Sequence, residues 1–290
     1  MLPPNSMLTN KNRTARDGRV LSVHLVLLLA GAFLFAGCTP PGPRALLSGK
    51  RLIEKGRYPQ AVQELKTATA LLATNAQAWN YLGLACHYAG KSAEAEKAYQ
   101  HALALNRDLT EARYNLGCLL LEQNKTNAAR TEFVACALRR GNSIECLLKL
   151  GLVQLRLREF AQAEKSFTDA LRLDSQNAEA MNGLGLAQLG RGRVPDAVQR
   201  FESALRLQPG YRPALLNLAI VSQQSLKDRR FALERYREYL ALKPPPQNLD
   251  AVKATVRDLE ADLALPRPAP AASPRQTAPT NGSRTARSPG

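Results

Sequence analysis

The chain has 290 residues, 45% hydrophobic and 22% charged, proportions of a folded protein rather than a disordered or collagen-like one. Aromatic residues at 6% with one Trp offer no base-stacking platform, so no nucleic-acid partner is expected, and three His and five Cys without a C-x-x-C or H-x-x-x-H pair leave no zinc spacing. The net charge is +16, with +3 in residues 1–37, +4 in 266–290 and +9 between them, a surplus that suits anionic surroundings or simply a well-solvated surface.

Residues 1–37 read as a targeting segment. Lys11, Arg13, Arg16 and Arg19 form a basic start, and Val20 to Phe35 an apolar run broken mainly by Ser22 and His24. Basic, then apolar, then small residues is the order of a secretory signal. The closing Leu34-Phe35-Ala36-Gly37-Cys38 resembles the lipobox of bacterial lipoproteins, with Phe35 where that family usually has Leu. The resemblance implies a diacylglyceryl group on the Cys38 thiol, cleavage after Gly37 and a further acyl chain, such as palmitate, on the freed amine. The membrane is then a partner through the lipid anchor. By that family's sorting rule Thr39, being other than Asp, permits delivery to the outer membrane. The expected address is therefore the bacterial cell envelope, periplasm-facing, on the outer rather than the inner membrane. An uncleaved signal anchor stays open, since about 18 apolar residues just span a bilayer, as does a plain signal peptide with an incidental cysteine. Residues 38–44, with Pro40, Pro41, Gly42 and Pro43, read as a short tether that holds the fold close to the membrane.

From Gly42 onward the chain repeats itself every 34 residues. Gly49, Gly83, Gly117, Gly151 and Gly185 share one phase, with Ala219 in the sixth place. Ala61, Ala95, Ala129, Ala163 and Ala197 share another. Leu65, Tyr99, Phe133, Phe167 and Phe201 come four residues later, and Ala68, Ala102, Cys136, Ala170 and Ala204 three after those. Gly inside a helix costs about 1 kcal/mol relative to Ala, so its recurrence predicts two helices pressed backbone to backbone at one point, with the aromatic beside the contact. The pattern resembles the tetratricopeptide (TPR) repeat, W-x-x-L-G-x-x-Y then A-x-x-x-F. Trp79, Leu82, Gly83, Cys86 in the Tyr place, Ala95, Tyr99 and Ala102 carry it best.

The resemblance implies an all-α superhelical solenoid of about six helix-turn-helix units, 42–75, 76–109, 110–143, 144–177, 178–211 and 212–245. The first unit has Ala45 and the third Arg113 where Trp is usual. In the sixth, Lys227-Asp228-Arg229-Arg230 adds a residue, Ala232 and Tyr236 resume a step late, and Tyr239 replaces the small residue; a distorted turn is expected there. Pro244-Pro245-Pro246 ends the array. Asn248 can cap a last helix whose stripe of Leu249, Val252, Val256, Leu259 and Leu263 closes the stack, so the solenoid with its cap spans 45–265. Residues 266–290, with six prolines and four arginines, read as a disordered tail.

In TPR proteins places 2, 5, 9, 12 and 13 of each unit line a concave groove. Here those places bring Leu84, His87, Tyr114, Cys118, Leu121, Leu148, Leu152, Leu155, Leu186, Leu189 and Ile220 to it, a largely aliphatic ladder suited to a protein or peptide partner. The ladder can equally be covered by neighbouring helices, by the cap or by a second copy, which keeps a homo-oligomer open. The Lys and Asn set with which chaperone-binding TPR proteins clamp a terminal carboxylate is missing. Cys86, Cys118, Cys136 and Cys146 read first as small buried thiols, although a bridge between Cys136 and Cys146 is within reach and three pairings are formally open. His87 and His101 have no partner at ligand spacing, and no cofactor is implied. No nucleophile–base set, phosphate loop or carboxylate pair stands apart from the repeats, so the chain is read as no enzyme. The expected function is that of a lipid-anchored adaptor for envelope complexes, in a class that includes pilus-secretin pilotins and adaptors for peptidoglycan hydrolases. A basic tether for an anionic envelope polymer and a self-associating structural protein are the alternatives.

Overall fold

The computed structural model describes residues 40–138 and 143–264; Cys38, the segment before it and the tail from residue 265 lie outside them. The described residues are all-helical. A first unit, residues 1–193, holds α1 (Pro41–Glu54), α2 (Tyr58–Leu71), α3 (Ala76–Tyr88), α4 (Ser92–Leu105), α5 (Thr110–Glu122), α6 (Thr126–Ala137), α7 (Ile144–Arg156), α8 (Phe160–Leu173) and α9 (Ala178–Gly190). A second, residues 194–290, holds α10 (Val194–Leu207), α11 (Arg212–Gln224), α12 (Arg229–Ala241) and α13 (Leu249–Ala264). Helices pack in sequence order, α1 on α2, α3 on α4, α5 on α6 and α7 on α8, each pair also meeting the next. None of the described helices is long and apolar enough to cross a membrane.

The recurrent glycine is explained by a ring rather than by backbone contact. A Cβ on Gly83 would come within 2.6 Å of the Tyr99 ring, on Gly117 within 2.8 Å of Phe133, and on Gly151 within 2.6 Å of Phe167; on Gly49 it would meet Leu65 at 2.4 Å. Each glycine is thus a notch in the first helix that receives the large residue sixteen positions later. Tyr99 and Phe133 are fully buried as a result. The backbone-to-backbone contact expected from the sequence gives way to helix against side chain.

The turn inside each unit also repeats. Arg57, Lys91, Lys125, Glu159 and Arg193 donate their N–H to the carbonyl five residues back, over Gly56, Gly90, Asn124, Arg158 and Gly192, all at positive φ between 58° and 78°. This is a Schellman close, which satisfies carbonyls that the helix end leaves open. In the sixth unit the added residue stretches it: Lys227 takes φ 59°, and Asp228 N–H reaches back six residues to Ser222. The distortion expected there is present. Asp228 then accepts from Phe231 N–H and caps α12.

Entry to the next unit is set by Asn75, Ser143 and Asn177, whose side chains accept from Ala78, Cys146 and Ala180 N–H. Trp79 Nε1 donates to the Ala73 carbonyl at 2.8 Å. Arg113, in the Trp place, reaches the equivalent Arg107 carbonyl at 3.0 and 3.2 Å and pairs with Glu132 at 3.0 Å, so its guanidinium replaces the indole N–H. Successive second helices are laced by Lys66–Glu94, Lys125–Glu96, Arg130–Glu159, Arg191–Glu164 and Arg193–Glu164. Burial alone would raise the Glu164 carboxyl, but Arg193 and Arg191 outweigh it and hold it below the ordinary range.

One boundary differs from expectation. Helix α1 begins at Pro41, inside the segment read as tether, because Pro in a first turn needs no N–H partner; Arg44 N–H already bonds to the Pro40 carbonyl. In the second unit Val252, Val256 and Leu259 of α13 bury against α12, with Asp250, Lys253, Arg257, Asp258 and Asp262 exposed. The Asn248 carboxamide accepts from the Tyr239 hydroxyl at 2.7 Å, which ties the cap to the residue that replaced the small one.

Candidate binding cleft

A cleft of about 610 Å³ opens over the starts of α3, α5 and α7. Gln77, Asn80, Tyr81 and Leu84 line it from α3, Thr110, Glu111, Tyr114 and Asn115 from α5, and Ser143, Glu145 and Cys146 at the head of α7. These side chains come from the same few places of consecutive units, because 34-residue stacking brings equivalent helical faces side by side. Tyr81, Leu84 and Tyr114 make its apolar part. Asn115 Nδ2 donates to Asn80 Oδ1 at 3.0 Å and fixes two amides across α3 and α5. Gln77 Oε1 is buried and accepts no hydrogen bond.

The charged groups of the cleft are acids. The Ser143 hydroxyl donates to Glu145 at 2.5 Å and holds its carboxyl below the usual range. Burial, then the neighbouring Cys118, raise the Tyr114 hydroxyl to about 12, with the charges of Glu145 and Glu179 adding to the rise. Burial likewise raises the Cys118 thiol, opposed by Lys149. Neither group ionises near neutral pH, so the site binds by shape, amides and carboxylates.

The other groove residues named from the sequence divide. Leu148 is buried in the core, and Tyr114, Cys118, Leu121 and Leu155 are half-buried against it. Leu84, Leu152, Leu186 and Leu189 are half-buried. His87 Nε2 donates to the Glu122 carboxylate at 2.8 Å, and the ring stacks on Tyr88. Ile220 belongs to the second unit and packs on that unit's core. So of the eleven, the cleft itself takes only Leu84 and Tyr114. Gln77, Tyr81, Glu111, Asn115 and Glu145 were not among the residues expected to line a groove. Place 2, followed as closely as places 9 and 12, would have put Gln77, Glu111 and Glu145 in register.

Cysteine placement corrects the first expectation in part. Cys136 and Cys146 form a disulfide with Cα atoms 5.8 Å apart, which joins the end of α6 to the start of α7 at the cleft wall. Cys86 and Cys118 are free thiols, buried and half-buried. Cys136 occupies the small-residue place of its unit, where its short side chain both packs and reaches Cys146.

Models of the tetratricopeptide repeat match residues 148–212 and 76–109, and a TPR repeat model matches residues 49–90. Human cilia- and flagella-associated protein 70 is 27% identical over 147 residues, which is 49% of this chain but only 13% of that protein. A tetratricopeptide repeat protein from Parabacteroides merdae superposes with a TM-score of 0.66 at 18% identity, over 77% of this chain and 88% of its own. PilW, a widely conserved type IV pilus biogenesis factor, gives 0.64 at 18% identity over 74% and 100%. The fold is therefore a TPR fold with a capping helix, an architecture that serves as a scaffold for protein–protein interaction.

Proposed function

We propose that this chain is a membrane-anchored adaptor of the bacterial envelope that holds a protein partner in the cleft of α3, α5 and α7. The observation that carries the reading is the cleft: three consecutive units present amides, carboxylates and apolar groups along one opening. PilW, of similar fold, serves type IV pilus biogenesis, which suits a role in assembling or regulating an envelope complex. In this reading Cys38 carries the lipid, and the helix start at Pro41 leaves two residues between anchor and fold. The partner is then held against the membrane surface, on the periplasmic side of the outer membrane.

A photo-crosslinking residue in place of Leu84 in the cell is expected to capture a discrete partner set. The same residue at exposed Gln100 on α4 is not. Equal capture from both positions would remove the cleft from the account. Metabolic palmitate labelling of the wild type, lost in Cys38→Ser, tests the anchor separately. The basic-tether alternative is weakened by the ion pairs, which commit many core Lys and Arg side chains to carboxylates of neighbouring helices. Polymer retention that collapses between low and physiological salt would restore it.

A further inference from the structure

We infer that the cleft selects a cationic peptide, an extended segment of the partner whose Lys or Arg side chain lies between Glu111 and Glu145 while an apolar neighbour rests on Tyr81, Leu84 and Tyr114. The inference rests on the proposed adaptor function and names the chemistry of its partner.

Place 2 of successive units reads Gln77, Glu111, Glu145 and Glu179. Six other carboxylates of the first unit, Glu94, Glu96, Glu122, Glu132, Glu159 and Glu164, each meet a Lys, Arg or His; Glu54, Glu64 and Asp174 also lack an ion pair among the described residues, but none of them lines the cleft. Among the described residues no ion pair includes Glu111, Glu145 or Glu179. In a chain with 40 basic residues, three carboxylates in register without a cation make an edge of opposite sign to the molecule. Glu145 is also held in place by Ser143, and Glu111 and Glu145 line the same opening.

Acidity alone does not describe a peptide site; the rest of the cleft does. Gln77 and Asn80 add side-chain amides to the lining, groups that can pair with peptide N–H and C=O. In the Asn80–Asn115 bond Asn115 donates through Nδ2, so its carbonyl oxygen remains able to accept an N–H. Apolar Tyr81, Leu84 and Tyr114 sit within the same 610 Å³. A segment ending in a free carboxylate meets like charge here and is disfavoured.

The test is fluorescence anisotropy with the full chain in non-ionic detergent and three labelled decapeptides, acetylated and amidated. They share their Leu and Ala positions and carry a central pair of Arg, Gln or Glu. The Arg peptide is expected to bind at least tenfold tighter than the Gln peptide, and the Glu peptide weakest. Glu111→Gln with Glu145→Gln, folded by circular dichroism, should remove the difference between the Arg and Gln peptides. In the wild type the preference should shrink as salt rises. Equal binding of Arg and Gln peptides, lost in Leu84→Glu, overturns the charge selection and leaves the adaptor reading standing. No binding of any peptide overturns both. Replacing Arg139 and Arg140, or Arg267, Arg275, Arg284 and Arg287, by Gln should leave the Arg-peptide Kd unchanged. A tenfold gain would make the chain's own arginines the occupant and overturn a partner. Self-association dispersed by the Arg peptide would assign the cleft to a second copy, with the same consequence.

Discussion

The third unit and the sixth solve one packing problem in two ways. In the third, Gly117 opens a notch for Phe133, and Cys136 keeps the second helix small where the next unit arrives. In the sixth, Ala219 stands in the glycine place, Tyr236 comes one residue late, and Tyr239 stands where the other units have a small residue. The sixth unit is succeeded by the cap, and Tyr239 bonds to it through Asn248. The difference teaches that the small residue is required by the helix that comes next rather than by the unit that carries it. Where the neighbour changes, a large polar-tipped side chain fits.

The comparison breaks hardest at the ring. Phe133→Ala, which empties a fully buried site, should cost about 3–5 kcal/mol in denaturant unfolding. A loss below about 1 kcal/mol would mean that the notch collapses around the gap. Replacing Cys136 and Cys146 together by Ala keeps the small residue the other units carry and removes the cross-link alone. With 10 residues of separation, a loss of about 2–3 kcal/mol is expected relative to the oxidised wild type, and none relative to the reduced protein. Gly117→Val should cost roughly 1–3 kcal/mol, overpacking exceeding the gain in helix propensity. Tyr239→Phe removes one hydrogen bond to the cap and should cost about 1 kcal/mol, read most directly as faster amide exchange in α13. Arg158→Gly runs the other way, because it relieves a non-glycine residue at φ 59° and should stabilise by up to about 1 kcal/mol.

Much of the fold was legible in the sequence because one contact recurs at a fixed spacing, four times in the first unit. The glycine, the large residue and the small residue keep their spacing, so a 34-residue period survives the loss of individual members. Even the departures carried information: the extra residue near Lys227 announced the stretched turn, and the Leu249 to Leu263 stripe announced the cap. The common turn was available too, since Gly56, Gly90 and Gly192 lie on the same period, but Asn124 and Arg158 interrupt it. Arg113 looked like a loss of the Trp contact; its guanidinium makes the same carbonyl bond, which residue type alone does not announce.

The site was less legible. Places 9 and 12 picked out an aliphatic ladder, but whether a Leu on a helix face stays open depends on how far the adjacent helices rotate toward it, and Leu148 ends in the core while Leu84 lines the cleft. Sequence put a Cys136–Cys146 bridge within reach without deciding it; the distance between the end of α6 and the start of α7 closes that bridge and leaves Cys86 and Cys118 as thiols. The sequence by itself determined the repeat, its notch and its cap, because these are contacts at fixed separation along one chain. Tertiary structure alone decided the cleft, the disulfide and the unpaired acids at its rim, because these depend on how successive helices lie side by side and on which charges that leaves without a partner.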